Sequence, residues 1–335
     1  MTSLPKLALP DAPRLLVVRP DRVGDVIIST SCIAPLRRAF PHGELYFYAA
    51  ERMRPLLEHH PDLTGFVSSP EEIEKLRADI VVHLHPDKAC YLAAYRARAQ
   101  VRIGYRARFL DRYLTQSLVD RRLEGLRHEA EYNFDLLEVI GVSRPAKLLP
   151  NVHLPESARD SLRAKLPWPL ESTPFAVLNP SAHSPVARWP REYFLRLADW
   201  LRRELNLQPV FVGADANDSV PGHAADSLSV IGKTDLGELG WLLKQTRLLV
   251  SRNTGTSHLA AAVGCPVVDL FARPGAIYGP TLWRVLGDKA ITLEKLTPRW
   301  MFESRHAHWR RSYAAISVTE VQAAVTAALS MRGPV

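Results

Sequence analysis

The sequence has few cysteines and nowhere a long apolar run. Its three cysteines, Cys32, Cys90 and Cys265, lie far apart and include no C-x-x-C pair, which excludes a disulfide framework and a zinc knuckle. No stretch reaches the roughly 18 apolar residues of a membrane-spanning helix, and the proline-broken first segment lacks the apolar core of a signal peptide. These absences predict a soluble, cytosolic protein in a reducing compartment.

Low-complexity tracts are also absent, and 47% of the 335 residues are hydrophobic, so nearly all of the chain can fold. This length predicts two domains, since a domain has roughly 100 to 200 residues. The net charge of +8 and the pI near 9.5 indicate an acidic partner. Nucleic acid, anionic lipid and a phosphorylated small molecule all fit that charge.

Short apolar runs alternate with helical patterns along the first half of the chain. The run Arg14–Val18 precedes a polar loop at 19–25 and a helical pattern through Ala39. Further strands are predicted at 45–49, 66–68 and 79–84, with helices at 52–59 and 71–77. This alternation predicts an α/β domain with a parallel sheet covered on both faces, which we assign to residues 1–160.

A proline-rich stretch separates this domain from the next. Nine of the 26 prolines lie between residues 144 and 190, and we place the interdomain linker at 150–172. A second Rossmann-like domain is predicted at 172–316. Its strands are expected at 175–178, 209–213, 228–231, 248–250 and 267–271, and its helices at 191–204, 236–244 and 257–263. Ligands of such sheets bind at the carboxyl ends of the strands, so we expect the active site in an interdomain cleft.

The loop after the strand at 248–250 is the sharpest chemical signal. It contains Asn253, Thr254, Gly255, Thr256, Ser257 and His258. The start of a helix offers free N–H groups and a positive dipole end, which suit a diphosphate. Capping of the helix by Asn253, Thr254 and Ser257 explains the same residues equally well.

Two further loops follow strands. In the segment Arg22, Val23, Gly24 and Asp25, the glycine permits close approach of a ligand. The aspartate is either a catalytic base or an acid favoured by the helix dipole. The loop at 179–190 carries Ser181 and Arg188; the arginine either pairs with phosphate or is simply exposed beside a packed Trp189.

Arginine is concentrated between residues 91 and 130. The nine arginines there are Arg96, Arg98, Arg102, Arg106, Arg108, Arg112, Arg121, Arg122 and Arg127. Because guanidinium groups bind phosphates and carboxylates bidentately, these residues indicate a surface for an anionic acceptor, unless they form only a solvated face.

The histidines do not form a persuasive metal site. The pairs His83 with His85 and His306 with His308 lack a third ligand at a suitable spacing, and the chain contains no D-x-D sequence. We therefore expect a metal-free mechanism and no cofactor.

Several segments, taken in order, resemble glycosyltransferase family 9, the heptosyltransferases. They are LLVVRPDRVGDVIISTSCIAPLRRAFPHGELYF, VRIGYRAR, HEAEYNFDLLEVIG, ARWPREYF, VFVGAD and SRNTGTSHLAAAVGCPVVDLF. The resemblance implies a GT-B fold with an acceptor-binding first domain and a donor-binding second domain. It also implies inverting, metal-independent transfer from ADP-heptose to lipopolysaccharide core or a similar anionic glycan. A C-terminal helix in 317–335 would pack back on the first domain.

Site residues follow from this resemblance by position. Asp25 corresponds to the catalytic aspartate. The donor is expected at Asn253, Thr254, Gly255, Thr256, Ser257, His258, Arg188, Ser181, Lys233 and Thr234. The acceptor is expected at Arg22, Gly24, Arg102, Arg106 and Arg108. The acceptor's chemistry also implies peripheral contact with the cytoplasmic face of the inner membrane. We expect no nucleic-acid partner, because the sequence contains no recognised nucleic-acid-binding fold.

Two positions depart from the family pattern. Ala187 replaces the lysine of K-x-W-P, and Asn253 replaces the acid of D-T-G-x-x-H. An amide keeps hydrogen bonding but removes the charge. Two alternatives therefore stay open: transfer from another nucleotide sugar, and a non-catalytic protein that binds nucleotide or glycan.

Overall fold

The computed structural model describes residues 10–166, 173–181, 188–214, 228–273 and 275–331. The chain divides into two compact units, Met1–His153 and Leu154–Val335. Each unit contains one six-stranded sheet, in which every paired strand is parallel. The division falls inside the predicted linker, although residues 154–160, predicted to be in the first domain, belong to the second unit.

The first sheet has the order β3-β2-β1-β4-β5-β6. Its strands are β1 Arg14–Val18, β2 Glu44–Tyr48, β3 Gly65–Val67, β4 Ile80–His83, β5 Val101–Tyr105 and β6 Gln116–Leu118. Its helices are α1 Val23–Ser29, α2 Ile33–Ala39, α3 Arg54–Leu57, α4 Pro70–Leu76, α5 Lys88–Arg96 and α6 Glu129–Glu138. Strand β4 is buried at every residue because helices cover both faces of the sheet.

The second sheet has the order β12-β11-β10-β7-β8-β9. Its strands are β7 Phe175–Asn179, β8 Gln208–Phe211, β9 Leu228–Ser229, β10 Leu249–Arg252, β11 Val267–Phe271 and β12 Ala290–Glu294. The helices are α7 Glu156–Lys165, α8 Arg191–Leu205, α9 Leu236–Gln245, α10 Gly255–Ala262, α11 Pro280–Trp283, α12 Arg305–Ala314 and α13 Val318–Ser330.

Each sheet reverses its strand order beside its first strand. In the first unit the chain runs outward from β1 through β2 and β3, then returns to place β4 on the other side of β1. The second unit repeats this reversal between β7 and β10. Such a switch point opens a crevice at the carboxyl ends of the two strands, where ligands of open parallel sheets bind.

Most predicted elements are confirmed within one or two residues, including β1 and β11 over their full lengths. The structure adds β5, β6 and β12, which the sequence analysis missed. The predicted loop at 19–25 is shorter than expected, since α1 begins at Val23. A 3-10 turn at Thr30–Cys32 separates α1 from α2, as expected where Pro35 supplies no N–H for helical bonding to Ser31.

The C-terminal helix α13 belongs to the second unit. It contacts α8, β11 and β12, and its buried residues Val321 and Val325 join the core around Trp189. The sequence analysis expected this helix to pack back on the first domain. The contacts that bury its apolar face lie in the second unit, because that face covers the apolar sheet formed by β11 and β12.

Candidate active site

A buried arginine organises the switch point of the first unit. Arg19 follows β1 and is 1% exposed. Its guanidinium donates to Asp21 Oδ1 at 2.6 Å, to Asp25 Oδ1 at 3.0 Å and to Glu129 Oε1 at 2.7 Å. Burial would lower the pKa of Arg19, but the three carboxylates raise it above its ordinary value. Arg19 therefore stays charged and fixes the positions of all three acids.

A second arginine closes this cluster. Arg122 donates to Glu129 Oε2 at 2.8 Å and to the carbonyl oxygen of Leu84 at 2.9 Å. Its guanidinium lies 4.2 Å from the ring centroid of Tyr105. Arg122 is thus a structural member of the nine-arginine group and not part of a solvated face. The cluster formed by Asp21, Asp25, Glu129, Arg19 and Arg122 holds three acids and two guanidinium groups.

Asp25 is the member of this cluster suited to proton transfer. It lies in the first turn of α1, next to the carboxyl end of β1, and its side chain is 12% exposed. Burial raises the pKa of Asp25 to about 6, against the opposing effect of Arg19. A carboxylate with that pKa is ionised at neutral pH and is a stronger base than an ordinary aspartate.

The predicted acceptor residues do not all gather around Asp25. Arg22 is exposed immediately before α1, and Gly24 lies inside that helix beside Asp25. Arg106 and Arg108 are exposed in the loop that follows the carboxyl end of β5, at the same edge of the sheet. Arg102 lies near the amino end of β5.

The contacts of Arg102 give it a structural role. Its guanidinium donates to the carbonyl oxygens of Tyr113, at 2.6 Å, and Ala99, and it lies 5.6 Å from the ring centroid of Tyr95. The structure therefore separates Arg102 from Asp25. Arg22, Gly24, Arg106 and Arg108 lie at the same edge of the sheet as Asp25, and their contact with the acceptor stays a prediction.

The histidines of the pair His83 and His85 occupy different environments. His83 is buried beside Tyr91, with the ring centroids 4.5 Å apart, and burial lowers its pKa to about 3. His85 follows β4, and its Nδ1 lies 3.6 Å from Asp21 Oδ2. His85 thus adds a half-exposed imidazole to the switch point near Asp25.

The switch point of the second unit is built from neutral polar groups and the start of α10. Asn179 ends β7 and is buried; its Nδ2 donates to Thr254 Oγ1 at 3.2 Å. Ser251 Oγ also lies 3.2 Å from Thr254 Oγ1. The side chain of Thr254, which precedes Gly255, does not cap α10. The Thr254 side chain therefore leaves the N–H groups of Gly255 and Thr256 uncapped, as a diphosphate site requires.

Asn253 and Ser257 support this loop from below. Asn253 Nδ2 donates to Asp269 Oδ2 at 3.2 Å and to the carbonyl oxygen of Trp283 at 2.8 Å. Ser257 Oγ donates to Asp269 Oδ1 at 3.1 Å and to the carbonyl oxygen of Arg252 at 3.1 Å. Both side chains therefore hold the loop against β11. This role differs from the two that the sequence predicted for them, which were capping of the helix and direct contact with the ligand.

Asp269 explains why an amide suits position 253. It is fully buried on β11, and burial raises its pKa to about 7, opposed by the hydrogen bonds from Asn253 and Ser257. An aspartate at 253 would bring two carboxyl groups into contact in a buried place, where two negative charges repel strongly. Asn253 and Asp269 thus form a matched pair.

The other predicted donor residues lie along the same edge. Gly255 and Thr256 open α10, and His258 is buried one residue beyond Ser257. Lys233 is exposed and Thr234 is half-buried in the turn after β9. Strands β9 and β10 are separated by three strand spacings of about 4.8 Å each. This separation is roughly the length of an extended nucleoside diphosphate. Gly232 permits the turn because its φ is 70°.

The loop after β7 is described in part. Ser181 N donates to Asn179 Oδ1 at 3.1 Å. Arg188 lies directly before Trp189, whose indole is buried and donates to the carbonyl oxygen of Ile316 at 2.8 Å. Trp189 is thus a core residue that fixes the start of α8, and Arg188 is the residue directly before it. Ala187, the departure at the family's lysine, lies outside the described residues.

Sequence reasoning missed Arg19, Asp21, Glu129 and Asp269 as site residues. A charged residue beside or inside an apolar strand is the signal that could have found Arg19 after LLVV and Asp269 within VVDLF. Glu129 meets Arg19 across 110 residues of sequence, and such a pairing has no local signature. In the described part of the chain, no helix is long and apolar enough to span a membrane.

The fold and these two edges define a class of protein. Each unit is a Rossmann-like parallel sheet with polar groups at its switch point, the arrangement of nucleotide-binding α/β proteins. The profile of glycosyltransferase family 9 (heptosyltransferase) matches residues 72–294, more than half of the chain. The chain therefore belongs to glycosyltransferase family 9, and it is a glycosyltransferase.

Individual relatives agree with this assignment. Lipooligosaccharide heptosyltransferase 2 of Haemophilus ducreyi is 24% identical over 299 residues, covering 80% of this chain and 84% of that protein. The glycosyl transferase family 9 structure from Veillonella parvula DSM 2008 has a TM-score of 0.80 at 21% identity, covering 96% of this chain and 100% of that chain. The ADP-heptose lps heptosyltransferase II of E. coli has a TM-score of 0.78 at 22% identity, with the same coverage. These structures confirm the predicted GT-B fold.

Proposed function

We propose that the protein transfers a heptose, or a related sugar, from an ADP-sugar to a lipopolysaccharide-core or similar anionic glycan acceptor. The transfer inverts the anomeric centre and requires neither a metal ion nor a cofactor. Family membership supports the reaction class. The names of the relatives, lipooligosaccharide heptosyltransferase 2 and ADP-heptose lps heptosyltransferase II, support the sugar and its nucleotide.

The observation that carries this proposal is the placement of Asp25. It combines a position at a switch point, a pKa near 6 and a fixed partner in Arg19. A base held in this way is ready to accept a proton without first reorganising its surroundings. Arg22, Arg106 and Arg108 lie at the same edge of the sheet and offer cationic groups to an anionic acceptor.

The chemical step follows from these groups. Asp25 takes the proton of the acceptor hydroxyl while that oxygen forms a bond to the anomeric carbon of the donor. The bond from the anomeric carbon to the diphosphate oxygen breaks, and ADP leaves with the electron pair. Attack opposite the leaving group inverts the anomeric configuration, and the charge developing on ADP is stabilised by donors rather than by proton transfer.

The second unit supplies the leaving-group side of this step. The first-turn N–H groups of α10, beginning at Gly255 and Thr256, would donate hydrogen bonds to the diphosphate oxygens, with Arg188 contributing a guanidinium. The turn at Lys233 and Thr234 would lie toward the adenosine. Asn253 and Ser257 act by holding this loop on Asp269, and His258 completes the buried side of the helix start.

The acceptor's chemistry places the reaction at a membrane. A lipopolysaccharide precursor is an anionic glycolipid, so the proposal includes peripheral contact with the cytoplasmic face of the inner membrane. No nucleic-acid partner is part of the proposal.

The test is product formation from defined donors. Purified protein is incubated with a deacylated lipopolysaccharide-core acceptor and ADP-heptose, with and without a chelator, and the acceptor mass is measured. We expect a gain of one heptose that the chelator does not reduce. Parallel reactions contain the UDP, GDP and CMP sugars.

The second candidate function is transfer from a different nucleotide sugar. The pair of Asn253 and Asp269 favours it, because the carboxylate near the donor loop belongs to β11 and not to position 253. A mass gain from another nucleotide sugar alone would transfer the proposal to that donor. Nucleotide binding without consumption of any donor, on any acceptor tried, would instead identify a non-catalytic binding protein.

A further inference from the structure

A rigid turn in the second unit presents three large apolar side chains to solvent. Trp300, Met301 and Phe302 follow one another between β12 and α12 and are 65%, 85% and 96% exposed. Consecutive exposure of this kind is unusual on a folded surface and generally marks a contact site for another apolar body.

The turn is held in place by a partly buried ion pair beside it. Arg311 of α12 donates to Glu303 through Nε at 2.9 Å and through a terminal nitrogen at 2.8 Å. Its guanidinium also lies 4.2 Å from the ring centroid of Trp300. Glu303 in turn accepts from the backbone N–H of Trp300 at 3.2 Å, and its own N–H donates to the Trp300 carbonyl at 3.1 Å.

The neighbouring contacts fix the base of the turn. His308 Nε2 lies 2.6 Å from the carbonyl oxygen of Thr297, whose hydroxyl is 2.7 Å from Ser312 Oγ. The three apolar side chains are therefore exposed by a preorganised structure, so they lose little conformational entropy when they bind.

The charges around Trp300, Met301 and Phe302, the tip of the turn, indicate the chemistry of its partner. Between residues 296 and 314 the chain has four arginines and a single acid, Glu303, which is occupied by Arg311. Arg299, Arg305 and Arg310 are exposed on the flanks. A partner that is apolar in its interior and anionic at its surface satisfies both features, as an anionic bilayer does.

The size of the tip also favours a bilayer. Each aromatic side chain covers about 150–250 Å², so three side chains fall short of the roughly 800 Å² per partner of a stable protein interface. Tryptophan beside arginine is instead the composition that anchors proteins at the boundary between headgroups and acyl chains.

We propose that the turn Arg299–Phe302, with Arg305 and Arg310, inserts into the headgroup region of an anionic membrane and docks the second unit there. This inference deepens the membrane contact of the proposed function, but it depends on none of the transfer chemistry.

Vesicle binding tests the inference without donor or acceptor. Parent protein is cosedimented with vesicles of phosphatidylglycerol and phosphatidylethanolamine, and with vesicles of phosphatidylcholine alone. We expect binding to the anionic vesicles only. Trp300→Ser/Met301→Ser/Phe302→Ser should lower the partition coefficient on the order of 100-fold, and Arg305→Gln/Arg310→Gln about 30-fold.

The matched control removes exposed apolar side chains elsewhere. Leu123 and Leu126 of the first unit are 80% and 71% exposed, and Leu123→Ser/Leu126→Ser should bind vesicles like the parent. Thermal unfolding confirms that each variant is folded. Parent-like binding by the triple variant, or loss of binding only in the leucine variant, would overturn the assignment of this turn.

A site-specific probe gives a second measurement. The three native cysteines are buried, so Phe302→Cys offers one reactive thiol for an environment-sensitive fluorophore. The emission should shift to the blue with anionic vesicles, whereas a label at Leu123→Cys should not respond. Self-association of the parent without lipid that the triple variant abolishes would overturn the proposal in favour of contact between copies of the chain.

Discussion

The two switch points occupy the same position in the same kind of sheet, but one is lined mainly by charged side chains and the other mainly by neutral polar groups. In the first unit, Arg19 binds three carboxylates and shares one of them, that of Glu129, with Arg122. In the second unit, amides, hydroxyls and the start of α10 surround one buried acid, Asp269. The difference matches the two chemical tasks that we propose for these switch points. A base needs an environment that adjusts its pKa, whereas a diphosphate site needs fixed donors and no competing negative charge.

Removing the base should have the largest effect. We expect Asp25→Asn to lower kcat by about 10²–10⁴-fold, because the amide keeps the shape and loses the ability to accept a proton. ADP affinity, measured by calorimetry, should not change. Since Asp25 has a pKa near 6, kcat/KM of the parent should fall below about pH 6. Transfer by the variant at the parental rate would remove Asp25 from the mechanism.

The same substitution should raise stability. The folded pKa of Asp25 is about 6, above the value near 3.9 of an unfolded aspartate, so the folded state holds a proton that the unfolded state has lost between those values. The stability of the parent therefore decreases as pH rises from about 4 to 6. Asp25→Asn should unfold about 2–4 °C higher than the parent at pH 8, and the difference should vanish toward pH 4. A variant less stable than the parent at pH 8 would mean that Arg19 needs this charge.

Replacing Arg19 compares the stability that a buried ion-pair cluster contributes with that of an exposed ion pair. Arg19→Met leaves Asp21, Asp25 and Glu129 without their shared cation, and we expect a loss of about 3–5 kcal/mol in the free energy of unfolding. Arg14 is the control, since it begins β1, the strand that Arg19 follows. It pairs with Glu44 at an exposed site, the two side chains being 40% and 45% exposed. Arg14→Met should cost no more than about 1 kcal/mol. Equal losses, measured by denaturant titration, would show that the cluster is not a special feature of the first unit.

These two regions also differ in how far sequence predicts them. Asp25 was a candidate base because a Gly-Asp pair follows an apolar strand and begins a helix, and the family resemblance favoured that role over an acid placed by the helix dipole. Its pKa was not predictable, because it depends on burial and on the charges of Arg19 and Glu129, which meet over 110 residues of sequence. Asn253 was interpreted as a ligand residue from its loop. The structure turns it inward to Asp269, since the direction of a side chain in a strand-to-helix turn is decided by tertiary packing.

Restoring the family's acid at position 253 should break the neutral character of the second switch point. In Asn253→Asp, the new carboxyl group faces Asp269 and can no longer donate to Trp283, so we expect a loss of about 1–3 kcal/mol in stability. The loss should be smaller at pH 5 than at pH 8, because the facing carboxyl groups can then hold protons. Asn151→Asp, at an exposed position outside the helices and strands, should show little effect. Thermal unfolding at both pH values measures this difference, and equal losses at the two positions would reject the matched pair.

The smallest expected effect separates the two phosphates of the donor. If Arg188 contacts the distal phosphate in place of the family's lysine, Arg188→Ala should weaken ADP binding about tenfold, as the loss of a charge-assisted hydrogen bond does. AMP binding should change far less, since AMP lacks that phosphate. Arg203→Ala, at an exposed residue of α8, is the control and should leave both affinities unchanged. Calorimetric titration with both nucleotides distinguishes the outcomes. Equal weakening of ADP and AMP would place Arg188 nearer the proximal phosphate or the ribose, and the first turn of α10 would then bind the distal phosphate through backbone donors alone.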